Sequence, residues 1–561
     1  MNELELDNLE KCFFGDNDFM VLPKLLPIYY ERKQYALVYY LSNIYSDRME
    51  PVKFYLLLSS KVLNLKNSSQ EIYISCQDSW FDIMHQYRIY WRHVVEFVKL
   101  FNPDNIPDWF QFMCDQHYED KEAQKLEFNQ KKTQEKRPSL VTFDNVKWKV
   151  WQKYNDNNVI CINNTLNLYQ LYNKDNIKVY SYMPKRVCAS MHVITDGSSA
   201  IMLDCGCELE HDVSRPIPIQ EILAFLGVNK IDAVLVSHAH FDHYGSLNKV
   251  KEFPVYMTEE SMQIIKRMSK DIYTNAIHIV NNFDYISAGN FTVQFIPNGH
   301  ILGSVMMDIS NIGIGGKTKR IIYSGDFCLS NQFTCPGLHM EDIAFNKQKI
   351  DLFITESTYG YSKDLLNLSQ YEEIFTYITK QIIKAGKKIV IPCFAVGRAQ
   401  ETAMLLRKMI NQTSTADNIV RGIKILIDGM AAGMTEYYQN TIDKSIIGNN
   451  IVVNKNEKNI NLNIFDSNII LASSGMFKPG SSSYNYMQEM MDMKNISVIK
   501  VGFIHKDEEM LMSILQRRYH NITYYDIPMS AHAGHEELIK LADFLSADIT
   551  VYVHGNGISN L

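Results

Sequence analysis

A chain of 561 residues is too long for one hydrophobic core, and ordinary domain size divides it into about three or four units. Its 46% hydrophobic and 21% charged residues describe a soluble globular protein, and a net charge of −7 excludes bulk basicity: a polyanion would have to be held by a local patch or by metal ions. Ten cysteines without a CxxC pair indicate neither a disulfide framework nor a zinc ribbon.

Reduced cysteines fit a cytoplasmic protein. The opening Met-Asn-Glu-Leu-Glu-Leu-Asp is acidic where a secretory leader is basic, and no apolar stretch approaches the ~20 residues of a membrane helix. From about residue 20 to 115 the pattern is helical and aromatic-rich: Leu25 to Tyr30, Tyr35 to Tyr45, Phe54 to Leu65, and Trp80 to Phe101 carry apolar residues at spacings of three and four. These aromatics read as helix-packing core before base-stacking surface. Pro103, Asn105 and Pro107 break the pattern, and the charged stretch 118–138 reads as a solvated helix or linker. Residues 1–145 are therefore expected to form a separable helical module, a possible site for a protein partner. Trp148, Trp151 and the alternation from Val159 to Tyr172 suggest short strands leading into the next domain.

From residue 178 short β-type runs take over: Lys178 to Met183, Ser190 to Ile194, Ala200 to Leu203, Ala233 to Val236, Val255 to Met257, Phe291 to Ile296, Val305 to Ile309 and Arg320 to Ser324. Helices fit at Ile219 to Leu226 and Glu259 to Met268. Strands that end in ligand-rich loops over a mixed α/β scaffold imply a layered sheet with its site on one rim.

The most informative loop is Ser237-His238-Ala239-His240-Phe241-Asp242-His243, which follows the mainly apolar run Ile231 to Val236. Imidazole nitrogen and carboxylate oxygen are the ligands zinc takes in hydrolytic sites. A purely structural turn has no reason to desolvate four such groups. Further acceptors stand at the mouths of other apolar strands: Asp204 after Ile-Met-Leu, His300 after Phe-Ile-Pro, Asp326 after Ile-Ile-Tyr-Ser-Gly, and Glu356 after Asp-Leu-Phe-Ile-Thr.

This series resembles the metallo-β-lactamase fold hydrolases. Thr355 to Gly360, Ile391 to Glu401, Ala472 to Met476, Ser530-Ala531-His532 and Val553-His554-Gly555 are similar to the β-CASP branch, which contains the pre-mRNA cleavage endonuclease subunit, its Integrator relative and the RNase J type enzymes. The resemblance covers about residues 178–561. It implies an α/β fold: a four-layer αββα metallo-β-lactamase domain (146–360 and 526–561) with an inserted β-CASP α/β cap (361–525), preceded by the mainly helical N-terminal region. It implies two zinc ions, one on His238, His240 and His300, the other on Asp242, His243 and His554, with Asp326 bridging. Asp204, Asp242, Glu356 and His532 are implied as the catalytic set, with His532 paired to Glu356 and protonating the leaving group.

Two departures stand out. Ala533, Gly534 and His535 follow His532 where the family has an acidic residue two positions on, and Met183 to Cys188 replaces a glycine-rich stretch. Gly397 and Gly475 read equally as ordinary strand-to-helix turns and as phosphate-binding turns, with Arg398, Ser474, Gly475 and Lys478 as the candidate substrate contacts. For Arg398 a surface charge at a helix start is a fair rival.

The resemblance implies a zinc-dependent phosphodiester hydrolase that cuts single-stranded RNA by a two-metal mechanism. A DNA nuclease of the same family and a scaffold with a non-catalytic metal site are the rival readings, and the completeness of the ligand set weighs against the scaffold.

Overall fold

The computed structural model describes residues 3–555 except 47–48, 66–90, 102–158, 184–188, 211–212, 270–275, 313–317, 345–347, 361–365, 443–444, 455–459, 476–479, 491–492, 494 and 503–521. The charged stretch 118–138, Trp148, Trp151, residues 184–188 and Lys478 thus lie outside the described residues. The chain forms two units, Met1–Asn145 with Ser369–Gly386, and Val146–Leu368 with Lys387–Leu561.

The described residues of the first unit are mainly helical: Glu3–Glu10, Leu22–Glu31, Tyr35–Tyr45, Glu50–Val62, Trp91–Phe101 and Leu368–Lys384. Prolines open two of these helices at their first positions, where the missing N–H costs nothing. The aromatics are core, as expected: Phe14, Tyr29, Phe54 and Phe97 are fully buried, and the Phe54 and Phe97 rings stack at 4.9 Å. The grouping differs from the expected 1–145 module, because Leu368–Lys384 joins it from the stretch assigned to the cap. That helix buries Tyr371, Ile374, Phe375, Ile378, Ile382 and Ile383 along one face. Its Tyr377 hydroxyl donates to the carboxylate of Glu10, which also accepts from Tyr29 at 3.2 Å.

Among the described residues the second unit is built on three large sheets, with a two-stranded one formed by Cys207–Glu210 and Val213–Pro216. The first has eight strands in the order Ile160–Asn163, Leu168–Lys174, Ile177–Tyr182, Met191–Thr195, Ala200–Leu203, Ala233–Leu235, Val255–Thr258 and Ile277–Val280, antiparallel up to Ala200–Leu203 and parallel beyond it. The second has six: Tyr285–Ala288, Phe291–Pro297, Val305–Ile312, Thr318–Tyr323, Leu352–Glu356 and Ile549–Val553, the last three mutually parallel. Alternation along these strands explains the layering. Phe295, Met307, Ile321 and Ile354 share a core with Leu203 and Leu235 of the first sheet, while Ile296, Met306, Ile322 and Phe353 face Leu538, Leu541 and Leu545 of the helix His535–Leu545. Strands buried on both faces read as the unbroken apolar runs seen in the sequence. Helices Ile219–Leu226 and Glu259–Met268 bury Ile222, Leu223, Ile264 and Ile265.

Between Glu356 and Ile549 the chain inserts the third sheet, six parallel strands in the order Ile451–Val453, Ile425–Asp428, Ile469–Ala472, Lys388–Pro392, Ile496–Val501 and Ile522–Ile527. This mixed α/β architecture with an inserted cap and a helical N-terminal region is the expected fold. Among the described residues no helix is long and apolar enough to cross a membrane.

Candidate metal centre

Strand direction gathers the site. Ala200–Leu203 runs parallel to Ala233–Leu235, and Thr318–Tyr323, Leu352–Glu356 and Ile549–Val553 run parallel to one another. Their carboxyl ends deliver Asp204, the loop 237–243, Asp326, Glu356 and His554, and the turn after Phe291–Pro297 adds His300. Seven side chains from this rim form two groups, His238, His240, His300 and Asp326, and Asp242, His243 and His554; within each, the ligand atoms lie within 4.8 Å of one another.

Hydrogen bonds decide which atoms face inward. The Nδ1–H of His300 donates to the Ala531 carbonyl at 2.9 Å. The Ser237 hydroxyl donates to Asp204 Oδ2 at 2.8 Å and so accepts from His238 Nδ1 at 3.0 Å. Both rings therefore turn a bare Nε2 toward His240 Nδ1, at 3.0 Å from His300 and 3.1 Å from His238. A single proton satisfies one of these two contacts; a cation satisfies all three nitrogens. Burial, reinforced by His243 and His300, pushes His238 well below the usual imidazole range, and burial holds His240 at about 4, so both rings are neutral and able to coordinate.

The second group fits a cation as well. The Nδ1–H of His243 donates to Asp204 Oδ2 at 2.8 Å, which turns its Nε2 toward Asp326, while Asp326 Oδ1 is buried without a hydrogen-bond partner among the described residues. Orphaned polar atoms at this depth call for an ion or a bound donor. His554 Nε2 lies 3.1 Å from Asp242 Oδ2. Asp326 stands between the groups, Oδ2 at 3.2 Å from His243 Nε2 and 3.6 Å from His238 Nε2, Oδ1 at 3.5 Å from His554 Nδ1.

Asp204 stands behind the ligands. Fully buried, with a backbone φ of 56°, it accepts from Ser237 N (2.7 Å), Ser237 Oγ (2.8 Å), His243 Nδ1 (2.8 Å) and Tyr323 OH (2.6 Å). Its oxygens are occupied by these donors, so it orients His243 and, through Ser237, His238. Asp204→Asn should therefore weaken metal binding roughly 10–100-fold without removing a ligand. Zinc titration against a chelator checks this, and an unchanged affinity would refute the role.

Glu356, buried at the end of its strand, accepts from Phe327 N at 2.8 Å through Oε1 and from His532 Nδ1 at 2.8 Å through Oε2. Burial opposes protonation of His532, yet the Glu356 and Asp326 carboxylates push it up to about 9. His532 lies 3.8 Å from Asp326 Oδ2, beside the ligand groups.

The candidate substrate contacts sit differently from one another. Arg398 opens the helix Arg398–Gln412 but is nearly buried, with Nη2 donating to Gln332 Oε1 at 3.2 Å, which removes the surface-charge reading. The amides of Arg398 and Ala399 already donate to Val396 and Phe394 carbonyls at 3.1 and 3.2 Å. Gly397 has φ 80°, and a Cβ there would come within 2.6 Å of Ile301 Cγ2; Gly475 packs on the Cys393–Phe394 backbone, where a Cβ would lie 3.0 Å from Phe394 N. Packing accounts for both glycines. The Ser474 carbonyl accepts from Ser483 Oγ at 2.6 Å. Ser237, Tyr323 and Gln332 touch the candidate ligands or their supports without standing out in the sequence as site residues; only Ser237, inside the histidine-rich motif, carries a local signal.

A model of the Metallo-beta-lactamase superfamily matches residues 188–304. The chain contains a metallo-β-lactamase domain. It is 28% identical over 423 residues to the Probable RNase MJ4 of Methanocaldococcus jannaschii, across 65% of this chain and 90% of that protein. To the Transcription termination factor FttA of Methanococcus maripaludis it is 27% identical over 386 residues, 61% of this chain and 57% of the factor. The Cleavage and polyadenylation specificity factor 73 of Drosophila melanogaster is 26% identical over 399 residues, 63% of this chain and 56% of the factor. The chain thus spans little more than half the length of the last two. All three similarities extend well past the 188–304 match of the lactamase domain, over more than 380 residues each.

Proposed function

We propose that the protein is a two-zinc phosphodiesterase of the β-CASP type, a ribonuclease that cuts single-stranded RNA. This reading is carried by the convergence of seven candidate ligands on one rim, Asp326 among them and between the two groups, with the His532–Glu356 pair alongside. His238, His240 and His300 would hold one ion and Asp242, His243 and His554 the other, with Asp326 shared. Ions bound there supply a water acidic enough to ionise near neutral pH and neutralise charge on the phosphate.

The chain's own groups do the rest. Asp204 and Ser237 keep the His243 and His238 rings aimed at the site. Glu356, anchored by Phe327 N, holds His532 by Nδ1, so the other ring nitrogen is the one that gives its proton to the departing oxygen. The neutral form of His532 is then restored to the imidazolium by solvent, since the site favours the charged ring.

The names of the relatives, an RNase and a cleavage and polyadenylation factor, support RNA as the substrate. The seven described cysteines are all free, which supports a cytoplasmic setting. We propose that the helical N-terminal unit, which holds none of the candidate ligands, takes a protein partner. Purified protein should cut end-labelled single-stranded RNA only when zinc is present, with rates that fall as salt rises, and should cut the fully paired duplex poorly. Equal cleavage of DNA of the same sequence would favour a DNA nuclease, and equal rates on duplex and single strand with no salt dependence would overturn the reading.

A further inference from the structure

The loop that follows Asp326 links the metal site to the cap. Gln332, within that loop, donates from Nε2 to the carbonyls of Gly299 and His300, each at 2.7 Å. Because both amide protons face those carbonyls, Oε1 faces the other way, and there it accepts from Arg398 Nη2 at 3.2 Å. The next two residues are held by the same cap helix: Glu401 Oε2 accepts from Phe333 N and Oε1 from Thr334 N, both at 2.7 Å. Lys408 places Nζ 5.6 Å above the Phe333 ring. Arg398, Glu401 and Lys408 stand three and seven residues apart on the helix Arg398–Gln412, so one face of it grips one short segment of loop.

These contacts are costly to lose. Glu401 is 5% exposed and Arg398 8%. A charged carboxylate bonded to two amides, and an amide bonded at both ends, leave buried polar groups unpaired if either is removed. The same helix start also touches the His300 segment directly, since Gly397 leaves the space that the Ile301 side chain fills.

We infer that Gln332 is a positioning residue for the metal ligand His300, held in place by Arg398 and Glu401, so that the cap helix sets how tightly the metal site closes. Gln332 fixes the backbone on which His300 is mounted, while the Ala531 carbonyl fixes the ring. On this account Arg398 acts through Gln332 and not on a phosphate. The inference rests on the metal-site reading of the proposed function.

Chelator competition for zinc, run on the full chain without nucleic acid, separates the possibilities. Gln332→Met keeps the volume and removes the hydrogen bonds; it should lower the affinity for one of the two ions about tenfold while saturating zinc still fills both places. Arg398→Met should move zinc affinity in the same direction, and Arg398→Lys, which restores a donor to Gln332 Oε1, should recover it. A parent that binds two ions beside a Gln332→Met variant of equal affinity overturns the inference alone, and a parent that binds none overturns the metal reading as well. Should Gln332→Met fail to fold, the Arg398→Met and Arg398→Lys pair carries the same comparison. Unchanged zinc affinity in Arg398→Met, with a raised KM for RNA, would return Arg398 to the substrate.

Discussion

Asp326→Ala is expected to abolish hydrolysis and to lower metal content in the same preparation. Its two oxygens stand between the groups: Oδ2 lies within 3.2–3.8 Å of His243, His238 and His300, and Oδ1 lies 3.5 Å from His554. Burial alone would favour the protonated acid, but His554, His243 and His532 hold the carboxyl well below the usual carboxylate range, so the side chain is an anion at every relevant pH. Removing it leaves clustered imidazoles without their shared negative partner and uncouples the two ion sites. The rate should fall by three orders of magnitude, roughly, or more, since both charge stabilisation and the activation of water depend on the pair. Metal analysis and single-turnover cleavage measure the two effects together. Full metal content with full activity would contradict the bridging role.

His532→Ala should behave differently. Its Nδ1 is bonded to Glu356 at 2.8 Å and the ring belongs to neither the group of four nor the group of three, but clusters with Glu356 and Asp326 beside them, so metal content should stay near that of the parent. Turnover should drop roughly 10²–10⁴-fold, the range ordinarily lost with a general acid. Because only protonation of the leaving oxygen is affected, a substrate with a more acidic leaving group should regain much of the rate. A variant that cleaves RNA as fast as the parent would remove His532 from the mechanism.

The candidate ligands were legible because each closes an apolar strand, and parallel strands bring their carboxyl ends to one rim; along Phe291–Pro297 buried positions alternate with more exposed ones, whereas Arg320 to Tyr323 are all buried. The task of Asp204 was not legible. An acceptor after a strand looks the same whether it meets a cation or a ring of donors, and the choice rests on its positive φ and on Tyr323, more than a hundred residues away. The burial of Arg398 was not legible for a similar reason: a charge at a helix start is ordinarily solvated, and only the fold shows that its guanidinium lies against Gln332. The helix Leu368–Lys384 carries an amphipathic pattern that any neighbour satisfies, so its place beside Glu10 and Tyr29 depends on pairing across the chain. Ser474 and Gly475 follow the strand Ile469–Ala472, whereas Lys478 lies outside the described residues.

His238, His240, Asp242, His243, His300, Asp326 and His554 together should hold two ions. Elemental analysis of the purified full chain, after dialysis against metal-free buffer, measures this. Two equivalents of zinc per chain are predicted, falling in the Asp326→Ala protein; less than one equivalent of any tightly held transition metal in the parent would contradict the claim.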